Sequence, residues 1–580
     1  MSTNIKRRQK ASKSLSQLND FHPILQHIYW QRGVTSREEL QRELNALLSF
    51  KKLSGIEPAV VLLHQALIAK QHIMIIGDFD VDGATSTALA VRALRLFGAD
   101  KVSFLVPNRF EFGYGLTPEI VELATQQQPD LIVTVDNGIS SVAGVAAAQA
   151  HGIKVLITDH HLPGEILPAA DAIVNPNQKS DTFASKHLAG VGVCFYVMLA
   201  LRSRLRELNW FSQRDLTEPN MASLLDLVAL GTVADVVPLD KNNRILVHQG
   251  LQRIRAGQCV PGIKALLEVA KRKLNQVTAA DLGFALGPRL NAAGRLDDMR
   301  LGIECLLTDD INQARLLAQE LNHLNLERRH IETEMKQQAL AILKNLDFSV
   351  TTLPYGLCLF DENWHQGVIG ILASRLKDQY HRPVIIFADA GNGELKGSAR
   401  SIKHVHIRDT LDLIAKQYPE LITKFGGHAM AAGLSINYYQ FKEFSEVFAA
   451  TVKEQLGTQD MQGEILSDGT LSADQISIEF AELLQNAGPW GQAFPEPIFD
   501  DQFEIVEQQL VAEKHLRLSL RYLNNEKVFA AIKFNIELEH WPNQNCHYIH
   551  AAYKLGINEF NDSKKVQLLI EHLEPINPKD

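Results

Sequence analysis

Between about residues 72 and 160, short apolar runs alternate with alanine- and leucine-rich stretches: HIMII, TSTALAVRALRLFG, LIVTV, SVAGVAAAQAHG and KVLIT follow one another. Five-residue runs without polar alternation fit strands buried on both faces, and the intervening stretches have helical length. The segment therefore predicts a parallel sheet covered by helices. Acidic and histidine clusters follow the apolar runs directly, at Asp78-Phe79-Asp80-Val81-Asp82-Gly83, Asp136-Asn137-Gly138 and Asp159-His160-His161. Ligands in open α/β sheets bind beyond the carboxyl ends of the strands, so these segments are expected to converge on one crevice.

Farther along, the pattern changes twice. From Asp309 to about Leu346 no proline or glycine interrupts a helically spaced apolar pattern, which predicts one long helix, or two in series, linking domains. Beyond Pro354, GLCLF and PVIIF flank the helical GVIGILASRLKDQY, a second α/β region closing near Gly433. After about residue 460, Pro489, Pro495 and Pro497 read as a linker. The alternating run His515–Arg521, a turn at Asn524-Asn525 and the run KVFAAIKF then predict a hairpin in a small β domain, with Arg517 and Arg521 on one strand face.

Composition narrows the class. A chain of 580 residues exceeds what one core supports, and 46% hydrophobic with 22% charged residues is ordinary for a globular protein. The net charge of -9 argues mildly against bulk attraction to nucleic acid, although acidic residues gathered around cations would reverse the local field. Five cysteines without CxxC spacing point to neither disulfides nor a thiolate zinc site, and a reducing cytoplasm is expected. No apolar run reaches membrane-spanning length, and the basic start MSTNIKRRQKASKS reads as a solvated tail, with a nucleic-acid arm as the alternative.

The chemistry lies in the clusters. Asp80 and Asp82 flank one residue in a loop that Gly83 closes, so both carboxylates can lean toward one point while the glycine permits a tight turn. Hard oxygen ligands suit magnesium or manganese, and an imidazole shifts the preference toward manganese. Asp136 and His160 would complete the shells, with Asp235 of GTVADVVPL a further ligand. Each aspartate alone would read as a turn or helix cap. Together they fit a two-cation centre, which activates water and holds phosphate oxygens through an in-line displacement. No GxxxxGK[ST] loop or GxSxG elbow supports ATP-driven or serine-hydrolase chemistry.

The three clusters, together with Gly231-Thr232-Val233-Ala234-Asp235, resemble the four motifs of the DHH phosphoesterase superfamily. Gly426-Gly427-His428-Ala429-Met430-Ala431-Ala432-Gly433 is similar to the GGH motif of the associated DHHA1 domain. The segments Gly287–Arg295 and Trp364–Gly370 resemble the RecJ-type exonuclease branch. Some members of the superfamily begin the first motif with a histidine, where this chain has Ile76.

The resemblance implies a parallel-sheet DHH domain joined by a long helix to a smaller α/β DHHA1 domain, then a C-terminal β-barrel of the oligonucleotide-binding (OB) type. The expected bounds are 1–48 for an N-terminal segment, 49–300, 301–347 for the helix, 348–457 and 458–580. It implies a 5′→3′ exonuclease on single-stranded DNA that releases mononucleotides in recombination and repair, with two Mn2+ or Mg2+ ions. By the same resemblance the metal ligands are Asp80, Asp82, Asp136, His160 and Asp235, and Asp78, Asp159 and His161 support them or touch the scissile phosphate. A helicase and a single-strand-binding protein are the implied partners of a monomer.

Holding a strand end calls for arginine, whose planar fork binds phosphate bidentately. The candidates are Arg109, with Ser398 and Arg400 in GSARS, whose setting looks like an anion-binding loop. Arg289, Asn291, Arg295 and His428 are further candidates for substrate contact, and Tyr114 with Phe112 for base stacking or core packing. Two other readings share the metal motifs: a phosphodiesterase of short oligonucleotides or cyclic dinucleotides, and a non-catalytic strand-binding scaffold.

Overall fold

The computed structural model describes residues 3–9, 16–108, 115–345, 353–457, 461–523, 525–536, 538, 541–560 and 563–577. The chain forms two compact units. One takes 326–466 with the chain start up to Lys6, the other Arg7–Asn325 with Ser467–Asp580.

In the larger unit, β1 (His72–Ile76) leads into α1 (Val81–Leu96), followed by β2 (Lys101–Leu105), α2 (Pro118–Thr125), β3 (Leu131–Val135), α3 (Val142–Ala150), β4 (Lys154–Thr158) and β5 (Ala172–Val174). All pairings are parallel, in the order β2-β1-β3-β4-β5. Strand order reverses between β1 and β3, and a crevice opens at the carboxyl ends where the crossovers leave in opposite directions. Asp78 and Asp136 follow those two strands. β1 and β3 are buried along their whole length, as apolar runs without alternation require. Three more helices matter to the site: α4 (Gly190–Glu207), α5 (Leu225–Ala234) and α6 (Gly287–Leu296), the last preceded by a π turn, Leu282–Leu286.

The long apolar-periodic stretch is one helix, α7 (Ile311–Asn345). In the smaller unit β6 (Leu357–Phe360), α8 (Ile369–Tyr380), β7 (Val384–Asp389), β8 (Glu394–Arg400), β9 (Lys424–Gly427) and β10 (Ala431–Asn437) build a mixed sheet of order β9-β10-β8-β7-β6. Ser398 and Arg400 therefore lie on a strand, paired opposite Gly433 and Ala431, and not in an anion-binding loop. The small residues of GSARS serve close strand packing: a Cβ on Gly397 would come within 2.6 Å of the Phe387 ring.

The C-terminal strands β11 (Phe499–Val511), β12 (His515–Tyr522), β13 (Val528–Lys533), β14 (Tyr548–Phe560) and β15 (Ser563–Pro575) close a barrel. Leu516, Leu518 and Leu520 point inward, while Arg517 and Arg521 face out; Arg521 is paired with Glu504 at 2.8 Å.

Two more sequence expectations change. The described part of the basic start, residues 3–9, is not a solvated tail: Thr3–Arg7 is a strand paired with Gly463–Ser467, and Arg7 holds the buried Asp500 at 2.8 Å; the rest of that stretch lies outside the described residues. The proline-punctuated stretch is not a free linker, because Phe494 is buried, Trp490 stacks on it at 5.2 Å, and Arg32 donates to the Pro495 carbonyl at 2.9 Å. Prolines remove donors without preventing burial when aromatic side chains supply the packing. Among the described residues no helix is long and apolar enough to cross a membrane.

Candidate metal centre and anion cradle

Asp80 is the N-cap of α1, with Oδ1 accepting from the Gly83 amide at 3.0 Å; Asp82 and Gly83 belong to the first helical turn and not to a loop. The glycine is needed for space, not for an unusual φ. A Cβ there would lie 2.5 Å from the Asp78 carbonyl oxygen, so the backbone of the first motif folds back onto the helix it opens.

Asp82 is buried, and the start of α4 holds both its oxygens. The Gly190 amide donates to Oδ2 at 2.6 Å and the Val191 amide to Oδ1 at 2.9 Å, where unpaired amides and the helix dipole favour negative charge. Asp136, at the end of β3, has φ +62°, a left-handed conformation that aspartate tolerates better than most residues. At the end of β4, Asp159 accepts from the Ile139, His160 and His161 amides and from His161 Nδ1, at 2.9, 2.7, 3.0 and 2.8 Å. So saturated, Asp159 positions both histidines. Asp235 is the C-cap of α5.

These segments meet. His160 Nε2 lies 3.1 Å from Asp136, 3.5 Å from Asp235 and 3.8 Å from Asp82. Three ligand sets arise, each with donor atoms within 4.8 Å of one another: Asp136, His160 and His161; Asp82, His160 and Asp235; Asp78, Asp80 and Asp136. Carboxylates with one or two imidazoles fit a hard or borderline divalent cation. Ile76 is the buried end of β1 and contributes only its carbonyl, which accepts from Asn137 Nδ2 at 3.1 Å.

The sequence reading missed Gly190, Val191, Asn175 and Asn177. Asn177 Nδ2 donates to the His160 carbonyl at 2.6 Å and Asn175 Nδ2 to that of His161 at 2.9 Å. Both asparagines follow β5, so the strand-end rule that flagged the aspartates would have found them had the three-residue AIV run been read as a strand.

Crowding of carboxylates shows in their acidities. Burial, then the charge of Asp80, pushes Asp82 up to about 7. Burial and the neighbouring Asp82 raise Asp136 well above the ordinary carboxyl value, and the same causes raise Asp235. Burial works against the His161 imidazolium, yet the Asp159 hydrogen bond and charge prevail and raise it to about 9.

A carboxyl raised on folding stabilises the native state while protonated and loses that contribution as pH climbs from its unfolded value of 3.8 to about 7. A raised imidazole loses its contribution as pH climbs from 6.5 through about 9. Both act in the same direction, so in chelator Tm should fall between about pH 5.5 and 8.5. Saturating Mn2+ should restore it, with a larger gain at the higher pH. Calorimetry at both pH values checks this; a metal-induced gain that does not change with pH would contradict the crowded-carboxylate picture.

The candidate substrate residues divide. Arg109 and Tyr114, with Phe112, lie outside the described residues. Arg289, Asn291 and Arg295 sit on α6, which presses on the first motif: a Cβ at Gly294 would lie 1.9 Å from the Phe79 carbonyl oxygen. Arg289 itself donates to the Ala285 carbonyl at 2.6 Å and to Asn322 at 3.0 Å.

Ser398, Arg400 and His428 belong to the smaller unit. Arg400 bonds Ser398 Oγ at 3.2 Å and the Ala399 carbonyl at 2.7 Å, and burial lowers its pKa; no carboxylate faces it among the described residues. The start of α8 closes in, since a Cβ on Gly370 would lie 2.9 Å from Ser398 Oγ and 3.0 Å from the Arg400 guanidinium. His428 is exposed, and its amide donates to the Ala431 carbonyl opposite Arg400 at 2.8 Å. A half-buried guanidinium, a hydroxyl and a helix N-terminus thus lie together, groups whose chemistry suits an anion.

Comparison with known proteins agrees with this geometry. Residues 72–232 match the DHH family, N-terminal domain, residues 349–454 the DHHA1 domain and residues 467–572 the RecJ OB domain. The chain is 55% identical over 574 residues to the single-stranded-DNA-specific exonuclease RecJ of Dickeya dadantii, covering 99% of each chain. The crystal structure of RecJ in complex with Mn2+ from Thermus thermophilus superposes with a TM-score of 0.79 at 29% identity, over 99% of this chain and 80% of that one. The corresponding Mg2+ complex gives 0.74 at 27% identity, over 99% and 79%.

Proposed function

Since the chain belongs to the RecJ family of single-stranded-DNA-specific exonucleases, we propose that it hydrolyses single-stranded DNA from the 5′ end. It releases 5′-mononucleotides, with two Mn2+ or Mg2+ ions, in recombination and repair. The observation that carries the reading is the meeting of Asp136 and His160 with Asp78, Asp80, Asp82, His161 and Asp235 in three overlapping ligand sets.

Asp80, Asp82, Asp136, His160 and Asp235 would hold the cations, with Asp78 beside them. When bound, such a pair supplies positive charge for the phosphate oxygens and lowers the pKa of water. The chain's own residues do the rest. The α4 amides keep the Asp82 carboxylate oriented. Asp159 accepts from His161 Nδ1 and so fixes the ring; as an imidazolium, His161 would also carry a proton on Nε2 for the scissile phosphate. Asn291 and Arg295 contact the strand, Arg289 supports their helix, and Arg109 and Tyr114 contribute from the 109–114 segment.

The cradle of Ser398, Arg400 and His428 receives the terminal phosphate. The assigned bounds are 49–300 for the catalytic domain, 301–347 for the connecting helix, 348–457 for the cradle domain and 458–580 for the OB domain, which grips the strand, after the 1–48 segment. A cytoplasmic monomer working with a helicase and a single-strand-binding protein completes the reading.

Single-stranded DNA labelled at either end tests it. With Mn2+ or Mg2+ the 5′ label should appear early as mononucleotide and the 3′ label last, and chelator should stop both. Hydrolysis of dinucleotides with long strands left intact would move the assignment to a small-substrate phosphodiesterase. Binding without cleavage would favour a scaffold.

A further inference from the structure

The Phe284 ring is 83% exposed, the second most open of the large apolar side chains of the described residues. It stands on the π turn Leu282–Leu286, a helical irregularity that costs hydrogen-bond geometry and recurs at functional sites. Arg289 answers part of that cost by donating to the Ala285 carbonyl within the turn.

The turn is held against one metal-bearing segment and its helix against another. A Cβ on Gly283 would lie 3.3 Å from Val233 Cγ1 and one on Gly287 3.6 Å from Ala234 Cβ, so the turn rests on the last turn of α5, which ends in Asp235. Gly294 brings α6 onto the Phe79 carbonyl, between Asp78 and Asp80. Leu282, Leu286, Leu290 and Ala293 are buried, whereas Phe284, Pro288, Asn291 and Arg295 are exposed or half-buried. The outer side of this element thus runs from an aromatic ring to an amide and a guanidinium.

A second apolar group faces water next to a candidate metal ligand. Val236 follows Asp235 directly, is 62% exposed and has φ +60°, which a β-branched residue rarely adopts. An aromatic ring held out over water at a metal centre, in line with hydrogen-bonding and cationic groups, matches one nucleotide after another: a base face for the ring, phosphate and sugar for the polar groups.

We infer that Phe284 is a base-stacking residue that, with Val236 beside Asp235, seats a nucleobase of the single strand at the rim of the metal centre. The inference rests on the exonuclease reading and deepens it. Because every base has a π-face, such a contact favours unpaired strands without favouring a sequence, and a duplex, with its bases already stacked, cannot offer it.

The test pairs Phe284→Ala with two strands, one ordinary and one whose first nucleotides are abasic. If the ring stacks on a base, Phe284→Ala raises KM about 10-fold on the ordinary strand, the low to middle part of the range for base–aromatic stacking. Wild-type enzyme suffers a similar loss on the abasic strand, and the variant loses little more there. Phe284→Trp should retain wild-type KM, and Tm should be unchanged in both variants because the ring is exposed. An equal penalty from Phe284→Ala on both strands, or none on either, would overturn the inference while leaving the exonuclease reading standing. Wild-type enzyme that degrades neither strand would overturn the exonuclease reading and the inference with it.

Discussion

Asp136→Ala should reduce strand cleavage by about 10³-fold or more, with DNA affinity changed far less. The carboxylate is common to two of the three ligand sets, one with His160 and His161 and the other with Asp78 and Asp80. Its removal would disturb both of those sets at once. Several kcal/mol of transition-state charge stabilisation depend on such a centre, and each ~1.4 kcal/mol lost is tenfold in rate.

The same substitution should raise Tm in chelator. Asp136 is buried among Asp82, Asp80, Asp235 and Asp78, all of which act to raise its pKa, so its loss relieves repulsion in the metal-free fold. Single-turnover cleavage, fluorescence anisotropy on a labelled strand and calorimetry separate these effects. Cleavage within tenfold of wild type would remove Asp136 from the centre.

Gly190→Ala should cost on the order of 100-fold in turnover although glycine has no chemistry to lose. A Cβ at this position would lie 2.6 Å from Asp136 Cβ and 2.7 Å from Asp136 Oδ1, while the Gly190 amide is already committed to Asp82. Neither contact can be kept as it stands, and misplacing a reacting constellation by about 1 Å can cost a factor of that size. Crystallography of the variant should find Asp136 displaced, and manganese titration should find weaker binding. Unchanged turnover would mean that α4 can withdraw without disturbing Asp136.

Much of this site was legible because a buried parallel strand has a simple signature. HIMII, LIVTV and KVLIT announced the strands, and the polar residues after each had to emerge at one edge of the sheet. The GSARS segment was misread as a loop because small residues suit a crowded strand as well as a turn. The basic start and the proline-rich stretch were read by composition alone. Composition does not reveal a strand partner in a distant part of the chain, such as Gly463–Ser467 for Thr3–Arg7, nor a stacked pair such as Trp490 and Phe494.

What the sequence determined by itself is therefore local: which runs become strands, which residues follow them, and which ligand types the crevice offers. Periodicity and strand-end chemistry act over a few residues and leave a record there. The tertiary structure alone decided that helix N-terminal amides 108 and 109 residues from Asp82 hold its two oxygens, that Asn175 and Asn177 brace the histidine carbonyls, and that Phe284 stands exposed on a turn seated against Asp235's helix. Those contacts depend on how closely backbones approach across the fold, and glycines at 83, 190 and 294 permit that approach without indicating in the sequence what they will meet.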